Sequence, residues 1–177
     1  FLFCDEVGLG KTIEAGLVLR TLILRGVLNR VLLIAPRSLI RQWMEELREK
    51  FALTAWFFDG YCLRDVDGRV RWTDRPWEED GIIIVSRHLI ARADRRAGLL
   101  AVQRPWDAVL VDECHDLNPV QYDVIKAIAE GHRNLFAVGD DEQSIFSWTG
   151  AVPRVLEKLA GDFSITNTSD SSGPIRS

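Results

Sequence analysis

The stretch Asp5-Glu6-Val7-Gly8-Leu9-Gly10-Lys11-Thr12 decides how this chain is read. It stands between an apolar stub, Phe1-Leu2-Phe3-Cys4, with the character of a strand end, and a run from Ile13 to Arg25 with the character of a helix that Gly26 stops. A glycine-containing turn between strand and helix frees backbone N–H groups to point at phosphate oxygens, and the new helix adds the positive end of its dipole. In such a loop Gly8 and Gly10 line the phosphate cradle, Lys11 reaches the β- and γ-phosphates, and Thr12 sets its hydroxyl on Mg2+. The generic motif has Gly five residues before Gly10, where this chain has Asp5, so the match is to Gly8 and Gly10-Lys11-Thr12.

Working outward, apolar runs alternate with helical patterns, as in a parallel sheet built from βαβ units. Val31-Leu32-Leu33-Ile34-Ala35 is a strand with both faces covered, ended by Pro36. A helix is expected from about Leu39 to Phe51, where Leu39, Trp43, Leu47 and Phe51 recur every fourth residue, with Ser38 suited to cap it. Ala55–Phe58, Ile82–Val85, Ala108–Val111 and Leu135–Val138 read as further strands, and Asp67-Gly68 as a hairpin or surface loop. Pro119 opens a helix that Gly131 ends. The expected fold class is an α/β P-loop domain, mostly parallel sheet with helices on both faces.

Composition sets limits on function. The chain has 177 residues, 47% hydrophobic and 27% charged, in the range of ordinary globular domains. No run approaches the ~18 apolar residues of a membrane span, so no membrane partner is expected. A net charge of −4 excludes a globally basic nucleic-acid binder but leaves local patches open. Three cysteines, Cys4, Cys62 and Cys114, lack metal spacing and fit buried thiols in a reducing, cytoplasmic setting. His88, His115 and His132 show no ligand spacing either. Since Met44 is the only methionine and the chain opens inside a strand, a piece of a larger protein is expected.

The second chemical signal is Asp112-Glu113 at the end of the strand Ala108–Val111. Placed at the C-terminal edge of a parallel sheet, these carboxylates lie where α/β folds bind ligands. Asp112 would hold Mg2+, directly or through water, and Glu113 would orient and deprotonate an attacking water. With Lys11-Thr12 about a hundred residues upstream, the pair reads as an ATP-hydrolysing centre. Arg87, Arg92, Arg95, Arg96 and Arg104 lie close together with one acid among them, Asp94, and read either as a nucleic-acid groove or as a solvated helix face.

These residues carry a resemblance to known motors. Asp5–Leu17 resembles motif I of the Snf-type DNA translocases, especially their bacterial RapA-like branch, where Asp5 is itself typical. Ile34–Leu47 is similar to their motif Ia, and Ile84-Val85-Ser86-Arg87 sits where motif Ib is expected. From Asp112 the likeness changes: Asp112–Tyr122 resembles motif II of UvrD/Rep-type helicases, and Val138–Ala151 is close to their motif III. Cys114-His115 departs toward the Asp-Glu-x-His form of superfamily 2.

The resemblance implies a RecA-like motor domain at 1–163, with 164–177 a polar tail, binding Mg-ATP and coupling its hydrolysis to movement on duplex or single-stranded DNA. It implies that Gln143 senses the γ-phosphate and that Trp148 stacks on a base, against a core-packing reading of the same ring. Arg37, Ser38, Ser86 and Arg87 would contact the nucleic acid. Thr149 stands where the helicase motif has Arg, which weakens the strand contact, and Asp170 where its next motif has a phosphate-binding Arg. The transition-state cation is missing, so a second RecA-like domain, in cis or in trans, is an expected partner. The competing readings are an ATP-binding scaffold without hydrolysis and a P-loop kinase that uses no nucleic acid.

Overall fold

The computed structural model describes residues 2–4, 11–130, 134–139 and 155–163. The expected phosphate loop 5–10, the block 140–154, the tail 164–177 and residues 1 and 131–133 lie outside the described residues, and with them Gly8, Gly10, Gly131, Gln143 and Trp148.

The chain runs β1 (Leu2–Cys4), α1 (Lys11–Leu24), β2 (Arg30–Ala35), α2 (Ile40–Phe51), β3 (Ala55–Phe58), β4 (Leu63–Arg64) and β5 (Val70–Arg71). It continues through β6 (Gly81–Ser86), α3 (Arg87–Ala91), α4 (Ala93–Leu100), β7 (Ala108–Val111), α5 (Pro119–Ala129), β8 (Leu135–Gly139) and α6 (Val155–Phe163). One eight-stranded sheet forms in the order β1-β8-β7-β2-β6-β3-β4-β5. The first six strands in that order are mutually parallel, and β4 and β5 add an antiparallel ribbon at one edge.

The strands are apolar on both faces because both faces are covered. Alternation sends Leu32, Ile34, Ile83, Val85, Val109 and Val111 into one core, shared with Tyr122, Ile125 and Leu159 of α5 and α6. It sends Val31, Leu33, Ile82, Ile84, Ala108 and Leu110 into the other, shared with Leu19 of α1 and Trp43 and Leu47 of α2. At ~25 cal/mol per Å2 of buried apolar surface, these two layers supply the main driving force for folding.

The strand expectations are met, with β2, β6 and β8 each slightly longer than their apolar runs. Gly26 ends α1 at φ +68°, and the N–H groups of Gly26 and Val27 reach the carbonyls of Ile23 and Leu22. The Asp67-Gly68 turn joins β4 to β5 as a hairpin.

One boundary differs. Ser38 does not cap α2: the cap position is Leu39, with no side-chain hydrogen bond, and residues 37–39 form a turn closed by Leu39 N–H on the Pro36 carbonyl at 3.0 Å. That turn delivers Ile40, Trp43, Met44, Leu47 and Phe51 to the core and leaves Leu39 half-buried, so burial of the i, i+3, i+4 face outweighs the capping preference of Ser38. The arginine-rich stretch forms the short helices α3 and α4, where Arg92 and Arg95 pair with Asp94, and Arg104 beyond them pairs with Asp80. Those three ion pairs fit the solvated-face reading better than a bare cationic groove.

Candidate active site

Parallel strands all end at the same edge, and each described site residue named above lies there. β1 ends at Cys4, and α1 begins at Lys11. β8 ends at Gly139, β7 runs into Asp112-Glu113, β2 into Arg37 and Ser38, and β6 ends at Ser86 before Arg87. In the sheet order, one strand, β8, separates the end of β1 from the end of β7. Thr12, the second residue of α1, is half-buried.

Asp112 is the centre of the described site. Ala108 and Leu110 face the α1/α2 layer, so the alternation of β7 turns Asp112 the same way. The backbone N–H of Asp112 donates to the Ile34 carbonyl at 2.8 Å, continuing the bonding of β7 to β2. Its side chain is only 6% exposed. Oδ2 accepts the indole N–H of Trp43 at 2.8 Å, and Oδ1 accepts the backbone N–H of Glu113 at 3.1 Å. Burial pushes the Asp112 carboxyl above the ordinary range, a push opposed by the Trp43 hydrogen bond. A carboxylate offers about four lone-pair directions. With two engaged, the remainder suit a hard divalent cation or its waters, the donor chemistry Mg2+ requires.

Glu113 breaks the strand with φ +51° and ψ +47°, a left-handed conformation unusual for a residue with a side chain. A 3₁₀ turn, Cys114–Asp116, follows. The turn lies against the end of β8, where a Cβ on Gly139 would come within 2.7 Å of Cys114 Sγ, so only glycine fits there. His115 is buried, and its Nε2 lies 3.2 Å from Glu113 Oε2 and 3.8 Å from Asp116 Oδ1. Spacing along the chain hides this grouping, which the 3₁₀ turn creates by bringing ligand-type atoms of Glu113, His115 and Asp116 within 4.8 Å of one another.

Arg87 faces inward. Its guanidinium, 12% exposed, donates to the Glu113 carbonyl at 3.2 Å and to Asp116 Oδ2 at 3.4 Å. Its own carbonyl accepts Gln121 Nε2 at 3.2 Å, and Gln121 also completes a capping box with Asn118 at the start of α5. Ser86 is buried, and its hydroxyl accepts the N–H of Leu89 as the cap of α3. Arg87 therefore holds the turn after Asp112 from within, while the Ser86 side chain starts α3. Arg37 and Ser38 are exposed on the turn before α2. Arg37 lies 6.0 Å from the Phe57 ring and lines an open cleft of about 280 Å3 with Ile40, Met44 and Arg64. Sequence reasoning missed Trp43 as a neighbour of Asp112, because its spacing with Leu47 and Phe51 already accounts for it as core.

Comparison with known proteins completes the description. The family model described as UvrD/REP helicase N-terminal domain matches residues 76–164. RNA polymerase-associated protein RapA of Proteus mirabilis is 38% identical over 137 residues, covering 73% of this chain and 14% of RapA. An uncharacterized ATP-dependent helicase, YqhH of Bacillus subtilis, is 36% identical over 116 residues, covering 66% of this chain and 18% of YqhH. The chain thus spans less than a fifth of these relatives. Among solved structures, the Sulfolobus solfataricus SWI2/SNF2 ATPase core in complex with dsDNA superposes with a TM-score of 0.56 at 21% identity, covering 90% of this chain and 33% of that one. T4 UvsW superposes with a TM-score of 0.53 at 13% identity, covering 85% of this chain and 29% of that one. Both likenesses show a shared fold.

Proposed function

Starting from the fact that this chain belongs to the UvrD/REP helicase N-terminal domain family and is a superfamily 1/2 helicase-like ATPase domain, we propose that it binds Mg-ATP at the C-terminal edge of its sheet and couples hydrolysis to movement along DNA. The observation that carries this reading is the buried Asp112 carboxylate, with acceptor capacity to spare, on the edge where β1 enters α1.

Gly8, Gly10 and the start of α1 cradle the phosphates, Lys11 neutralises them, and Thr12 and Asp112 hold the metal. Bound Mg2+ would supply electrostatic neutralisation of the phosphoryl group. Glu113 takes the proton of the attacking water; His115, 3.2 Å from its carboxylate, orients it. Gln143 senses the γ-phosphate. Arg37 and Ser38 meet the phosphate backbone, Trp148 stacks on a base, and Arg87 and Ser86 serve the nucleic-acid path, Arg87 by fixing the turn after Asp112 and Ser86 by capping α3. A second RecA-like domain supplies the missing transition-state cation. Three cysteines without metal or disulfide spacing suit a reducing compartment, and we place the protein in the cytoplasm; among the described residues no helix is long and apolar enough to cross a membrane. A second reading, a binding module without turnover, draws support from Asp170, which stands where an arginine is expected.

The test is ATP hydrolysis with and without single- and double-stranded DNA. Glu113→Gln should keep nucleotide binding and slow turnover by about a hundredfold or more. Lys11→Ala should abolish binding. Normal turnover in the first variant removes Glu113 as base, and normal affinity in the second removes the loop assignment. ATP binding with no hydrolysis under any DNA condition favours the binding module.

A further inference from the structure

Trp43 joins two parts of the site that the functional reading treats separately. It is 2% exposed in the first turn of α2, and its backbone N–H donates to the Leu39 carbonyl at 2.9 Å. Leu39 closes the turn that carries Arg37 and Ser38. At its other end, the Trp43 indole N–H donates to Asp112 Oδ2 at 2.8 Å across 69 positions of sequence. Burial alone does not demand such a partner here, since the buried indole N–H of Trp106 has none among the described residues. Trp43 instead fixes one oxygen of the carboxylate assigned to the metal, and the Glu113 N–H fixes the other.

We propose that Trp43 is a positioning residue that couples nucleic acid at the Arg37–Ser38 turn to the metal–nucleotide site through the orientation of the Asp112 carboxylate. This inference rests on the functional reading above. Phosphate contacts at Arg37 and Ser38 hold the first turn of α2 in place. The rigid indole, packed between α2 and the sheet, carries that constraint to Oδ2. Because coupling between two sites is reciprocal, metal–nucleotide binding at Asp112 tightens the turn for nucleic acid by the same factor.

The test titrates this chain and its Trp43→Phe variant with a non-hydrolysable ATP analogue and Mg2+, by calorimetry, with and without saturating DNA oligonucleotides. In the wild type, DNA should tighten Mg-nucleotide binding by a factor within the usual allosteric span of about 5- to 150-fold. In Trp43→Phe that factor should fall below about twofold, with DNA affinity in the absence of nucleotide unchanged. If the phenylalanine variant does not fold, benzothienylalanine at position 43 removes the N–H with little change of shape, and 7-azatryptophan, which keeps it, should restore coupling. Coupling retained without the N–H, or absent from a wild type that binds Mg-nucleotide, overturns the inference and leaves the functional reading intact. Failure of the wild type to bind Mg-nucleotide overturns both.

Discussion

Each edge of the sheet buries a charge, and the two are treated in opposite ways. At the N-terminal edge, Arg30 of β2 is 2% exposed. Its guanidinium donates through Nη1 and Nη2 to the carbonyls of Arg104, Pro105 and Trp77, lies 4.8 Å from the Trp106 ring, and has Glu78 at 3.8 Å, while its Nε has no hydrogen-bond partner among the described residues. The neighbouring Asp107 carboxylate accepts the backbone N–H groups of Asn29 and Arg30. Burial lowers the Arg30 pKa, yet an arginine remains charged. At the C-terminal edge, Asp112 is nearly as deep, but each of its oxygens accepts a single hydrogen bond among the described residues, and it sits beside a residue in a left-handed conformation. A buried charge largely surrounded by protein partners braces a fold. One with lone pairs to spare at the C-terminal edge of a parallel sheet, where α/β folds bind ligands, is what the proposed metal site requires.

That contrast can be broken most directly at Arg30. Arg30→Met should destabilise the fold by about 3–5 kcal/mol in urea titration, because it strands the carbonyls and carboxylate around it. A cost below about 1 kcal/mol would mean the N-terminal edge is no more structural than its opposite. Asp112→Asn should do the reverse, stabilising the fold by on the order of 1 kcal/mol near neutral pH while removing metal-dependent hydrolysis. The sign follows from the raised folded-state pKa of Asp112. The cost of burying its charge is fully present above that pKa and disappears as pH falls below the ordinary carboxylate value, so the variant's advantage should vanish in acid. Stability curves at both pH values check this, and a destabilised Asp112→Asn would sink the claim that the two edges differ. The smallest effect belongs to Glu113. Glu113→Gly should relieve the left-handed backbone and stabilise by about 0.5–1 kcal/mol while abolishing turnover. A loss of stability would show that contacts of the side chain with His115 outweigh the strain.

Much of the fold was legible because its signals are local. Continuous apolar runs mark strands covered on both faces, and Val31–Ala35, Ile82–Val85 and Ala108–Val111 all lie in the central strands. Pro119 marks the start of α5 because its ring suits a first helical position. Ser38 misleads for the opposite reason: its local preference yields to the apolar face of α2. In the site, residue type and position at a strand end identify Asp112-Glu113. Arg87 is different, since its sequence context suits a phosphate contact and its fold turns it toward the Glu113 carbonyl.

The sequence by itself determined the alternation of strands and helices, the start of α1 at Lys11-Thr12 and the acidic pair after β7, since each is written in neighbouring residues. Only the tertiary structure decided which groups meet across the edge: Trp43 with Asp112, Arg87 with Glu113, and Arg30 with the carbonyls beneath the sheet. Those partners lie 26 to 75 positions apart. Local periodicity records how a residue faces its own element, whereas strand order and crossover decide which other element stands opposite, and a buried polar group is bound by whatever it finds there.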